Sequence, residues 1–184
     1  MDGLTLIPAL VAVGRIEDWL LDRVAAALHT AERGSGLDPE FAYNPARGQY
    51  HSTELLARLP EGALGVAGVD LYIPILEFVF GEAQLGGRRA IISAFRLRQE
   101  FYGLPPDPAL MVERAVKEAL HEWGHAAGLR HCPRYDCAMH ATHSIELLDL
   151  KGDGYCPACA GRVRRVGLRD GIGVPRASPV LQCP

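Results

Sequence analysis

Short apolar runs and longer amphipathic stretches alternate through the first hundred residues. "LTLIPALVAVG" (4–14) is an apolar run closed by glycine and predicts a buried strand. "EDWLLDRVAAALH" (17–29) puts Leu20, Leu21, Val24 and Leu28 on one side of a helix. "FAYN" (41–44) predicts a short strand and "QYHSTELLARL" (49–59) a helix. "ALGVAGVDLYIP" (63–74) predicts a central strand, and "EFVFGEAQ" (77–84) and "RRAIISAFRL" (88–97) two more, joined by "LGG". Strand, helix, strand, helix and three strands in that order describe an α/β (α+β) sheet domain.

A long helix follows in "PPDPALMVERAVKEALHEWGHAAG", with Asp107 as N-cap and Pro108 at the first helical position. Its predicted buried stripe is Val112, Val116, Leu120, Trp123 and Ala127. Gly128 is the expected stop, because glycine turns left-handed without strain. Beyond it the regular pattern fades, and the tail from Gly167 to Pro184, rich in Gly and Pro, predicts irregular chain. The expected organisation is one domain over 1–184: sheet and helices through 128, then a smaller part over 129–184.

The chain has 184 residues and a formal net charge of −3, so no global basic field draws it to nucleic acid or an anionic membrane. No apolar run approaches the ~20 residues that span a bilayer. The start carries Asp2 and no basic segment, so a secretory signal is not expected and the expected location is cytoplasmic. In a reducing compartment, cysteines point to metal before disulfides, and four of the five fall between positions 132 and 159.

The densest chemistry is "HEWGHAAGLRHC" (121–132). His121 and His125, four apart on a helix, stand on one face and can reach one ion at ~2.0–2.1 Å each. Glu122, one step round, can reach a metal-bound water as general base without ligating the metal. Gly128 lets the chain turn back to His131. Three histidines leave one coordination position open, the mark of a catalytic zinc.

Cys132, Cys137, Cys156 and Cys159 form two short-spaced pairs around a loop, the pattern of a closed tetrahedral zinc site. Two zinc ions per chain are therefore expected, one catalytic and one structural. Adjacent residues can point opposite ways, so His131 would face one ion and Cys132 the other. The cysteine site would then pin the loop that carries the third histidine.

Together these strings resemble the metzincin metalloproteases, and the archaemetzincins in particular. The third histidine runs straight into Cys132, then "CAM" (137–139), then "CPAC" (156–159), while "GVDLYIP" and "FVFGEAQ…AIISAFRLR" are similar to that family's sheet region. The resemblance implies a metzincin-like zincin domain. It would have a mixed twisted sheet with one antiparallel edge strand, at 78–84, lining a cleft and pairing with an extended peptide or protein substrate. It would also have a long zinc-binding helix and a small cysteine zinc module. Met139 would be the Met-turn residue under the histidines.

The expected function is a zinc-dependent metallopeptidase, with endo- and aminopeptidase action both open. Glu82 is a candidate amine anchor for the second. Tyr155 or Tyr135 could assist the oxyanion, or either could be packing. The alternative is a catalytically weak or inactive metzincin-fold peptide-binding protein. A nucleic-acid ribbon built on the cysteines and "GRVRRVGLR" (161–169) is disfavoured by the acidic balance. His29, His51, His140 and His143 are expected as surface or loop residues, and Cys183 as a free thiol.

Overall fold

The computed structural model of the chain describes residues 8–165. Strands β1 (Ala9–Val13), β4 (Ala63–Ala67) and β7 (Arg89–Ser93) run parallel, and β6 (Gly81–Ala83) closes the sheet antiparallel to β7, in the order β1-β4-β7-β6. Their side chains alternate between two buried clusters. Leu10, Leu64, Val66 and Ile92 face one side, and Val11, Val13, Ala67 and Ile91 face the other. Such period-two burial on both faces needs cover on both faces. Helices α1 (Asp18–Ala27) and α3 (Pro108–Ala126) supply it on the first side, and α2 (Ser52–Arg58) supplies it on the second. A small second sheet joins β2 (Tyr43–Asn44), β3 (Gln49–His51) and β5 (Leu71–Tyr72) in the order β2-β3-β5.

The fold class is as expected: a mixed sheet with one antiparallel edge strand and a long helix against it. Several elements are shorter than the apolar pattern predicts. The run 63–74 breaks after Ala67, where a side chain at Gly68 would meet the Arg15 carbonyl oxygen at 1.7 Å, and Leu71–Tyr72 crosses to the small sheet. Residues 49–51 are strand rather than helix, because Tyr50 and His51 pair with Leu71 and Tyr72. The 77–84 strand shrinks to Gly81–Ala83, and 88–97 ends as strand at Ser93 before a 3-10 turn at Phe95–Leu97. The predicted strand at 4–14 is seen as Ala9–Val13, its first residues and the tail with Cys183 lying outside the described residues.

The last described third holds two helices that the apolar pattern did not predict. Helix α4 (Ile145–Leu150) is capped by the Ser144 hydroxyl, which accepts from Leu147 N at 3.4 Å. Helix α5 (Pro157–Arg165) occupies the first part of the basic stretch 161–169, for which a nucleic-acid ribbon is the disfavoured reading. Among the described residues no helix is long and apolar enough to cross a membrane.

Candidate active site and metal centres

Helix α3 begins as predicted: the Asp107 carboxylate accepts from Leu110 N at 3.0 Å, with Pro108 in the first turn. It ends where Gly128 takes φ +90° and its N–H donates to the His125 carbonyl at 2.8 Å. That reversal returns the chain across the helix end and delivers His131. The ring atoms of His121, His125 and His131 that could bind a metal all lie within 4.8 Å of one another.

Hydrogen bonds select which nitrogens face inward. His121 Nδ1 donates to the Ala138 carbonyl at 2.7 Å, and His125 Nδ1 donates to the Leu129 carbonyl at 2.7 Å. Both Nε2 atoms are then left bare as acceptors, the tautomer a metal needs. They stand 3.2 Å apart. Two nitrogens ~2.05 Å from one tetrahedral ion would be about 3.3 Å apart, so the pair fits zinc. Burial, and then the Lys151 charge, push His121 down to about 2, and burial also lowers His125. Both rings are therefore neutral at ordinary pH and open to a metal.

Glu122 is 7 % exposed, and burial, reinforced by the Glu118 charge, raises its pKa well above the usual carboxylate range. It borders a cleft of about 540 Å³ that also takes in the three histidines, the edge strand, Thr142 and His143. The strand comes so close that a Cβ at Gly81 would lie 2.6 Å from Glu122 Cγ, so glycine is required there.

Edge strand β6 keeps part of its backbone free. Phe80 O accepts from Ser93 N, and Gln84 N donates to Arg89 O. In that register residues 80, 82 and 84 spend their groups on β7, and Gly81 and Ala83 turn theirs outward toward the cleft.

Cys132, Cys137, Cys156 and Cys159 bring four sulfurs within 4.8 Å of one another, all as free thiols. The Cys132 and Cys156 sulfurs are 3.9 Å apart, far beyond a disulfide and close to the ~3.8 Å that two sulfurs on one tetrahedral zinc would show. The thiols occupy the predicted cluster, with Cys159 in the first turn of α5.

One short segment links the histidine and cysteine clusters. Cys137 belongs to the thiols, Ala138 O holds His121, and Met139 O accepts from Cys132 N at 2.9 Å. Met139 is fully buried, and a Cβ at Gly124 would meet its sulfur at 2.3 Å. Gly124, between the two helical histidines, leaves the groove in which Met139 lies.

A sequence model of Peptidase family M54 matches residues 46–165. The archaemetzincin of Methanocaldococcus jannaschii is 49 % identical over 133 residues, covering 71 % of this chain and 74 % of that protein. The chain belongs to the archaemetzincins. The archaemetzincin of Thermococcus kodakarensis is 38 % identical over 175 residues, covering 85 % and 94 % of the two chains. Among solved structures, the Archaeoglobus fulgidus archaemetzincin complexed with malonate superposes with TM-score 0.74 at 35 % identity, covering 84 % of this chain and 99 % of that one. The Methanopyrus kandleri archaemetzincin gives 0.74 at 36 % identity, with 88 % and 96 % covered. An archaemetzincin is a metallopeptidase-type protein with zinc as its metal.

In this archaemetzincin the two candidate tyrosines are not among the cleft residues, whereas Glu82 is. Tyr155 is 1 % exposed and donates to the Leu120 carbonyl at 2.7 Å, so its hydroxyl braces the helix rather than the cleft. Tyr135 is 75 % exposed and is not among the cleft residues. Glu82 borders the cleft, and its carboxylate accepts from the Ser52 and Thr53 hydroxyls. His143 borders the cleft and His140 Nδ1 donates to the Cys132 carbonyl at 3.1 Å, both from loop positions as expected.

The polar residues behind the cleft were not anticipated. The chain's only two lysines, Lys117 and Lys151, are both buried. Lys151 pairs with Glu118 at 2.9 Å, and Arg114 grips Asp149 through both nitrogens of its fork at 2.6 and 2.7 Å. The signal in the sequence was Arg114, Glu118 and Glu122 spaced four apart along one helix face.

Proposed function

We propose that this archaemetzincin hydrolyses peptide bonds in an extended peptide or protein substrate. Zinc would be held by His121, His125 and His131, with a second, structural zinc on Cys132, Cys137, Cys156 and Cys159. Zinc, when bound at the histidines, supplies Lewis-acid polarisation of the scissile carbonyl and activates water. Gly81 and Ala83 offer outward backbone groups to pair with the substrate strand, holding the bond to be cut across the histidines. A Glu122 carboxylate oxygen takes the proton from the attacking water and returns it to the leaving amine. The segment 137–139 keeps His121 in its metal-binding tautomer, and burial excludes bulk water from Glu122.

The observation that carries this reading is the pair of Nε2 atoms facing each other beside a buried carboxylate that no described hydrogen bond engages. Zinc-loaded protein should cleave members of a random peptide library, and Glu122→Gln should lower the rate by about 10²–10⁴-fold while retaining zinc. Equal cleavage by the variant would overturn the hydrolytic role.

A second reading, peptide binding with little turnover, is favoured by one feature: no tyrosine is among the described residues lining the cleft. Four closely spaced thiols persist best where disulfides do not form, which supports a cytoplasmic location.

A further inference from the structure

The two ends of the cleft differ. Strand β6 and helix α3 run the same way, since Gly81 touches Glu122 while Gly86 N donates to the His125 carbonyl at 2.9 Å. Residues ahead of Gly81 therefore lie toward the Glu118 end of the helix. There the cleft is walled by Leu76, Phe78 and Phe80, whereas past Glu82 no residue of this strand borders it.

The wall is anchored at several points. Arg47 donates to the carbonyls of Leu76 and Glu77 at 2.9 Å each, and Gln49 donates to Glu77 O at 2.9 Å. Val79 N donates to Leu71 O, which ends the open edge on this side. The Arg96 guanidinium lies 4.2 Å from the Phe78 ring centre, and Phe78 meets Phe80 edge-on at 5.1 Å.

At the base of this end sits Glu118, whose side chain is 4 % exposed. One of its oxygens holds Lys151, and no described residue bonds the other. Lys151 itself is 0 % exposed, so it offers the cleft no donor. Of this ion pair, only a Glu118 carboxylate oxygen is left to a ligand.

We propose that the closed end of the cleft is a subsite for an arginine or lysine side chain of the substrate, a specificity that rests on the peptide-binding reading of the cleft. The methylene stem would pack on Leu76, Phe78 and Phe80, and the cationic tip would donate to the free oxygen of Glu118. An acidic side chain would meet like charge from Glu77, Glu118 and Glu122. A purely apolar one would bury the Glu118 oxygen without a partner. A cationic donor satisfies it with a charge-assisted hydrogen bond.

The test uses zinc-loaded Glu122→Gln, which binds without consuming peptide. Fluorescein-labelled peptides carry arginine, citrulline or norleucine at each position in turn, and Kd is read by anisotropy. At one position arginine should bind at least about tenfold tighter than norleucine, with citrulline between. In Glu122→Gln/Glu118→Gln/Lys151→Met the ratio should fall to near one. Lys151 is replaced together with Glu118 because alone it would be a buried charge without a counter-ion. Matched zinc content and melting temperature establish that the variant is folded. Arginine no tighter than norleucine at every position, or a ratio that survives in the triple variant, would overturn the subsite. Wild-type turnover separates the two ideas. A preference without any cleavage would sink the hydrolase reading and leave the subsite. Cleavage without a preference would do the reverse.

Discussion

Helix α3 is packed on two sides, and the two sides are built by different means. Toward the sheet, Ala115, Ala119 and Leu120 share an apolar cluster with Leu64, Val66 and Ile92. Contacts of that kind are non-directional and tolerate small shifts. Toward the C-terminal part, apolar residues such as Met139 and Leu148 are interleaved with directional bonds. Arg114 grips Asp149, Lys117 Nζ donates to the Asp149 carbonyl at 2.8 Å, Lys151 holds Glu118, and Tyr155 holds Leu120 O. The sheet side makes the helix stable. The C-terminal side makes it specific, because each bond has one acceptable geometry and the metal-facing rings need positions set to a few tenths of an ångström.

The comparison is most severely strained by removing a thiol. Zinc per chain should be about two in wild type, and Cys156→Ser should lower it below one, because segment 132–139 holds both ligand groups. Elemental analysis reads the loss. Hydrogen exchange should rise over 129–165 while the sheet strands stay protected. If the histidine zinc stayed at full occupancy in the folded variant, the two ligand groups would be independent.

Next in size is Lys151→Met, which leaves Glu118 buried and unpaired. It should cost about 3–5 kcal/mol in urea unfolding, and adding Glu118→Leu should recover most of that. No recovery would mean that Lys151 acts through its backbone carbonyl or stem rather than through the charge.

Gly124→Ala is the smallest perturbation. Alanine suits a helix interior better than glycine, yet here its Cβ would meet the Met139 sulfur. A loss of about 1–3 kcal/mol is expected, reversed by shortening Met139 to alanine in the same chain. A more stable Gly124→Ala would show that the Met139 contact is loose.

Much of the site was legible because its chemistry is local. His121, Glu122 and His125 share one helical turn, Gly128 and His131 follow within six residues, and the cysteines come in close pairs, so spacing alone brings them together. The helix start at Asp107 was legible for the same reason. Glu118 with Lys151, and Arg114 with Asp149, were not, since those partners are 33 and 35 residues apart and meet only when α4 folds back on α3. The bonds of the Tyr155 hydroxyl and the Glu82 carboxylate were hidden on the same ground: a side chain's direction depends on what it packs against.

The sequence by itself determined the candidate ligand types, their order, the helix that carries two of the histidines and the glycine that returns the third. Those follow from backbone periodicity and from the bonding preferences of imidazole and thiolate, which act within a few residues. The tertiary structure decided which strand edge stays open, which nitrogen of each ring faces inward, and where the cleft is closed. These depend on carbonyls, walls and buried charges that distant segments contribute only after the chain has collapsed.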